Sequence, residues 1–235
     1  WNPHLYSYPS LPVYLGTAAL AVGAIAVSGK ADVVRMHQLG RMTAPFYEQP
    51  KVVSVARKLW WAMGVIGTVA VSVCALRLAG PSGMLLAALI GAFGASLPER
   101  AVSYINVDVP MSMFALLCLA LLVTSRDRRW SVRVWVPALL CGAAIACKYT
   151  AFVLLVPCLI AQWLLHSRDR AWASLALIAG SLCAFGLFCP YFVLDLPNFV
   201  EGAAFENYHY RVRGHTGFDV TPGWPHLVAY AQDLG

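Results

Sequence analysis

Charge is what this sequence has least of. Only 12% of its 235 residues are Asp, Glu, Lys or Arg, against 60% hydrophobic, and the mean hydropathy is +0.66. A water-soluble domain carries about 25% charged residues, so an ordinary soluble fold is excluded. The net charge of +6 does not signal a nucleic-acid binder, because the basic residues come singly or in short loops between apolar runs and form no stripe. Paired cysteine motifs are missing too. Cys74, Cys118, Cys141, Cys147, Cys158, Cys183 and Cys189 each sit inside an apolar run with no CxxC and no histidine at ligand spacing, and read as small core residues, neither a metal site nor a disulfide framework. A glycine-rich phosphate cradle is absent, which argues against a nucleotide-linked substrate. No basic, cleavable signal peptide opens the chain.

What is present is a series of apolar runs broken by short charged turns. They predict an all-α, multi-pass transmembrane bundle of about six spans: residues 59–78, 83–98, 109–124, 134–147, 149–166 and 172–193. One set of turns carries Arg77, Arg126, Arg128, Arg129, Arg133, Arg168 and Arg170, whereas the alternate set carries Arg100 and Lys148. Basic residues stay on the cytoplasmic side, so the arginine-rich turns are expected inside, with Asp108, Lys148 and the segment after Tyr191 outside. Trp60, Trp61, Trp130, Trp135, Trp163 and Trp172 lie near span ends and are expected to anchor the interface. Residues 11–28 are apolar enough for a seventh span, or for a helix lying in the outer interface.

Two charges interrupt this pattern. Asp108 in VSYINVDVPMSMFALL and Lys148 in CGAAIACKYTAFVLLVP sit about forty residues apart yet are expected on one face. A charge at mid-bilayer costs at least about 2.5–3.5 kcal/mol, so such residues belong at a cavity, a partner or a membrane face. For Asp108 the simpler role is a helix N-cap ahead of Pro110; for Lys148 it is snorkelling at a short turn.

The order ARKLWWAMGVIGT, GPSGMLLAALIGAFGASLP, SYINVDVPMSMFALL, CGAAIACKYTAFVLLVP and CPYFVLDLPNFVEGAAFENYHYRVRGHTGF resembles membrane glycosyltransferases of the GT-C fold. The likeness is to bacterial relatives of protein O-mannosyltransferases (family 39) and of the lipid A aminoarabinose transferase (family 83). The resemblance implies transfer of a sugar from a polyprenyl-phosphate carrier to a protein, lipid or glycan acceptor, at the outer face of a bacterial inner membrane. It also makes residues 1–58 an outer-face loop with a juxtamembrane helix, residues 59–193 the spans, and residues 194–235 an outer-face loop. In the resembling family the main catalytic acid lies in the first outer loop, so the chain reads as a fragment whose acid is expected upstream.

Such chemistry needs cations, because negative charge grows on the departing lipid phosphate. Lys148, Arg211 and Arg213 are the candidates to hold it, with Asp108 orienting them in a supporting role. His209 and His215 are candidates to donate hydrogen bonds to phosphate or sugar, and Tyr208 and Tyr210 to stack on a sugar ring. A lone carboxylate is a poor site for a hard cation, so no divalent metal is assigned and no other cofactor is implied. Two other classes fit the composition: a lipid or solute transporter or flippase, and a noncatalytic membrane assembly subunit.

Overall fold

The computed structural model describes residues 9–28, 50–93, 106–125, 129–165 and 169–208, together with Trp224, Pro225 and Val228. Helix is the regular structure of these residues, with no strand among them. They fall into two compact units. One is Pro9–Pro190; the other contains the short helices near the end of the described chain.

In the larger unit the elements are α1 (Leu11–Ser28), α2 (Pro50–Phe93), α3 (Asp108–Thr124), α4 (Trp130–Ile145), a 3-10 turn (Tyr149–Leu154), α5 (Leu155–Leu165) and α6 (Arg170–Phe188). Two stretches are long and apolar enough to cross a membrane, Pro50–Gly91 and Arg170–Phe188. The apolar helices Leu11–Ala26, Asp108–Thr124, Trp130–Ile145 and Tyr149–Leu164 are shorter.

The longest helix is two arms. Gly80 has φ 73°, ψ −166°, followed by Pro81, and this breaks α2. A left-handed residue costs a side-chain-bearing amino acid about 1–2 kcal/mol, which glycine avoids, and the proline removes the next backbone donor. A Cβ added at Gly91 would run into the side chain of Thr68. In an unbroken helix those residues would lie about 34 Å apart, so the arms fold back on each other as a hairpin. The expected spans at 59–78 and 83–98 are these two arms, but the first begins at Pro50. Its length to the break is about 45 Å, more than a hydrocarbon core of about 30 Å.

The neighbours of α2 show where the excess goes. The Trp60 indole donates to the Asn106 carbonyl (2.7 Å), and Gly67 faces Met113 and Leu116. Seven residues along α2 therefore match seven along the start of α3, so the two run in the same direction. Residues 50–59 then project beyond the start of α3 by about 15 Å. Helix α1 packs antiparallel on that projection: Gly16 meets Trp60, and Gly23 meets Val52 and Val55. Its first residue is tied to the end of α4 by Leu11 N–H to the Ala146 carbonyl (3.2 Å), and Ser10 Oγ contacts Cys189 Sγ at 3.5 Å. So α1 starts at the level of the α3 start and runs outward, away from the bundle.

The remaining helices alternate up and down. Helix α4 packs on α3 and on α6, and α5 on α3 and α6. The closest crossing is between α4 and α6. A Cβ on Gly142 would lie 2.5 Å from the Ser181 carbonyl oxygen and from Ala184 Cβ, and one on Gly180 would lie 2.9 Å from Ala138 Cβ and the Trp135 ring. The buried faces here are Ala138, Cys141, Gly142, Ala143 and Ala144 against Ala173, Ser174, Ser181 and Ala184. Large side chains point outward instead: Leu78, Val153, Leu164, Trp172 and Leu187 are all more than 70% exposed. Water would penalise so many exposed large apolar side chains, whereas small residues inside and large ones outside is how helices pack in lipid.

Four hydroxyls inside the helices are answered locally. Thr68, Ser72, Thr124 and Ser181 each donate to the carbonyl four residues earlier, at 2.7–3.0 Å. Pro137 has no N–H for the Arg133 carbonyl, and the fully buried Gln162 amide donates to that oxygen instead, at 3.3 Å.

Several boundaries differ from expectation. Helix α4 begins at Trp130, four residues early, since nothing in SVR opposes helix. The span expected at 149–166 starts as 3-10 structure because Lys148 is extended (φ −154°, ψ 127°) and breaks the helix before it. The span expected to reach 193 ends at Phe188, ahead of Pro190. In the smaller unit, α7 (Tyr191–Leu194) and α8 (Leu196–Tyr208) follow each other closely, with Phe192 and Phe199 in edge-to-face contact at 5.8 Å.

Candidate functional site

Lys148 sits at the tip of the turn between α4 and the 3-10 segment, and Asp108 is the first residue of α3. Because α3 descends and α4 returns, both reach the same end of the bundle. Their side chains meet: Lys148 Nζ donates to Asp108 Oδ1 at 2.7 Å. Lys148 is 30% exposed and Asp108 52%. A pair this open to solvent contributes about 0–1 kcal/mol, too little to explain two charges at the ends of apolar helices on stability alone.

The capping role falls to another residue. Asn106 Oδ1 accepts the Val109 N–H at 3.2 Å, while Asp108 makes its bond to Lys148. Asn106 is itself fixed, because its carbonyl accepts the indole N–H of Trp60, which is fully buried among Ala19, Ala56 and partly buried Val109. The expectation that Trp60 anchors an interface is therefore corrected: the α1 helix covers it and its N–H is spent on the loop before Asp108. Trp61, Trp130, Trp135, Trp163 and Trp172 are exposed, as expected of anchors. An asparagine two residues before an aspartate that opens a helix was a readable capping signal. A bond between residues 60 and 106 was not.

Below the ion pair, α3 and the 3-10/α5 segment leave a cavity of about 250 Å³, lined by Met111, Ala115, Thr150, Val153, Leu154 and Pro157. It is apolar apart from the Thr150 hydroxyl, and Met111 and Thr150, three and two residues after Asp108 and Lys148, place it beside the ion pair.

Of the other sequence candidates, Tyr208 ends α8 and is exposed, in the smaller unit. His209, Tyr210, Arg211, Arg213 and His215 lie outside the described residues. Among the described residues no group of three or more His, Cys, Asp or Glu is arranged to hold a metal ion.

Two cysteines assigned separately to the core do meet. Cys118 of α3 and Cys158 of α5 have their sulfurs 3.5 Å apart, and Cys118 Sγ also contacts the Pro137 carbonyl at 3.2 Å. All seven cysteines are free thiols. Comparison with protein-family models, curated proteins and solved structures finds no match to this chain.

Proposed function

We propose that the chain is part of a multi-pass membrane glycosyltransferase of the GT-C type, transferring a sugar from a polyprenyl-phosphate donor at the outer face of the membrane. The observation that carries this reading is the Asp108–Lys148 pair beside an apolar groove. A polyprenyl-phosphate sugar is an anion on an apolar chain, and the Lys148 ammonium and the neighbouring apolar groove suit those two parts. An ammonium has three N–H donors, and the bond to Asp108 uses one of them. The others are available to a phosphate oxygen whose charge grows as the sugar leaves. Asp108 then aims the ammonium and does not cap the helix.

Two further observations support the membrane part of the reading. The ion-pair end lies opposite the end bearing Arg129, Arg133 and Arg170, and an arginine-rich inner side favours an outer position for the pair. Helix α1 runs outward along the projecting start of α2, which suits a juxtamembrane helix better than a span. Cysteines introduced at Ser7 and Gln49 should both react with a membrane-impermeant maleimide applied outside, and one at Arg129 should not. Labelling of Ser7 and Gln49 from opposite sides would make α1 a true span.

The activity itself is tested in the full-length protein in membranes, with a panel of polyprenyl-phosphate-linked hexoses and pentoses. Loss of a well-placed charge-stabilising donor costs about 2.7–4 kcal/mol, so Lys148→Ala should lower transfer roughly a hundred- to thousand-fold at normal expression. Lys148→Arg should recover only part, since a planar fork does not replace a compact ammonium. Full transfer by Lys148→Ala would refute the phosphate-site assignment.

A further inference from the structure

Helix α2 shows two unlike faces where it passes the start of α3. Val52, Ala56 and Trp60 recur every four residues and are fully buried on the side that α1 covers. The opposite face carries Ser54, Lys58, Trp61, Val65 and Val69, spaced i, i+4, i+7, i+11 and i+15, with Arg57 at its edge, and all six are exposed. One open stripe thus runs from cations through an indole to valines. The Trp60 indole reaches Asn106, two residues before α3 begins, so Arg57 and Lys58 stand about 3–5 Å beyond that level. A headgroup layer is about 5–7 Å thick, and both cations fall within it. Val65 and Val69 lie about 7–14 Å on the other side, at the depth of acyl chains. Among the described residues no carboxylate answers either cation: Pro50–Phe93 contains no Asp or Glu, and neither residue forms an ion pair. The sidedness rule that accounts for Arg129, Arg133 and Arg170 gives no reason for cations at the opposite end.

We propose that this face of α2 docks an anionic glycerophospholipid in the leaflet at the ion-pair end, its phosphate held by Arg57 and Lys58 and an acyl chain lying along Val65 and Val69. The charges are complementary. A guanidinium offers two parallel N–H groups to phosphate oxygens and an ammonium adds a compact point charge. Trp61 is exposed one turn from Arg57, at the depth where an indole lies between headgroup and chain. The Ser54 hydroxyl, one turn farther out between the cations of the stripe, adds a neutral donor. A choline headgroup sets its own cation against its phosphate, whereas a glycerol headgroup leaves the phosphate charge unopposed, so the face selects the second. Lys51 stands on the same stripe about 10 Å beyond Lys58, past the headgroup layer, where it steers the anion and does not grip it. The face involves neither the Asp108–Lys148 pair nor the groove beside it, so the proposal stands whether or not the transferase reading does.

The test uses the intact protein in nanodiscs of equal parts phosphatidylglycerol and phosphatidylcholine with identical acyl chains. The photoreactive residue p-benzoylphenylalanine is placed at Ser54 or, as a reference in the acyl region, at Val69, and the mass of the adduct identifies the lipid captured. A cation near a charged bilayer surface changes association about fivefold, so position 54 should capture phosphatidylglycerol at least about fivefold over phosphatidylcholine, whereas position 69 should capture it with less preference. Arg57→Gln with Lys58→Gln should bring the ratio at position 54 close to one, and Lys51→Gln should lower it less. Inorganic phosphate at millimolar concentration should leave the adduct in place. The comparison of positions 54 and 69 in the otherwise unaltered chain decides the matter if a charge variant does not fold. Equal capture of both lipids at position 54 would make the face an ordinary boundary and overturn the proposal. So would the absence of any lipid adduct there, which would mean that protein or water covers the face, or loss of the adduct to inorganic phosphate, which would make it a site for the free anion.

Discussion

The two ends of the larger unit use the same residue types in opposite ways. At the arginine end, Trp130, Trp135, Trp163 and Trp172 are exposed, and the Arg170 guanidinium lies 5.9 Å over the Trp163 ring. These side chains face outward, as boundary anchors and topology signals do. At the other end Trp60 is fully buried, its N–H holds the loop before α3, and the cation is joined to a carboxylate at 2.7 Å. A tryptophan or a cation near the end of an apolar helix therefore says little by itself. What separates anchor from site is whether neighbouring backbone fixes the side chain in one geometry.

Mutating matched positions at the two ends breaks or sharpens this contrast. The largest effect is expected at the cation: Lys148→Ala should lose about two to three orders of magnitude in transfer. Arg170→Ala, at the end remote from the ion pair, should leave transfer near the wild-type level. Asp108→Asn should follow Lys148→Ala closely, because Asn106 keeps the cap; an active Asp108→Asn would mean that the carboxylate does not aim the ammonium.

The helix crossing between the two ends comes next in size. Gly142→Ala drives a methyl group into the Ser181 carbonyl and Ala184, and Gly180→Ala drives one into Ala138 and Trp135. Overpacking of this kind costs about 1–3 kcal/mol, so each variant should lower the thermal midpoint in detergent. Gly64→Ala, with nothing within 4 Å, should not. An unchanged midpoint for Gly142→Ala would mean that α4 and α6 are less closely packed than described.

The smallest effect separates the two tryptophan classes. Trp60→Phe keeps an aromatic ring but loses part of the buried indole and the hydrogen bond to Asn106, the latter worth about 0.5–1.5 kcal/mol, and should also lower transfer by loosening Asp108. Trp172→Phe, at a position 72% exposed, should change neither. Equal effects at both would erase the distinction between the ends.

Much of this architecture was legible because lipid and water select composition and period directly. A charge-poor chain with apolar runs near bilayer length settles the all-helical class and brings most helices within a few residues of their observed bounds. The alternation of arginine-rich and arginine-poor turns put Asp108 and Lys148 at one end, where they are found. Gly80 before Pro81 marked the reversal of α2. What only the tertiary structure decided are the long-range meetings. Trp60 with Asn106, Gln162 with the carbonyl orphaned by Pro137, and Cys118 with Cys158 join residues that are 46, 29 and 40 positions apart. Helical period says which face a residue occupies, but not which neighbour that face will meet. Register between helices is set by how Gly142, Gly180 and the small residues around them let backbones approach, and such packing depends on all the elements at once.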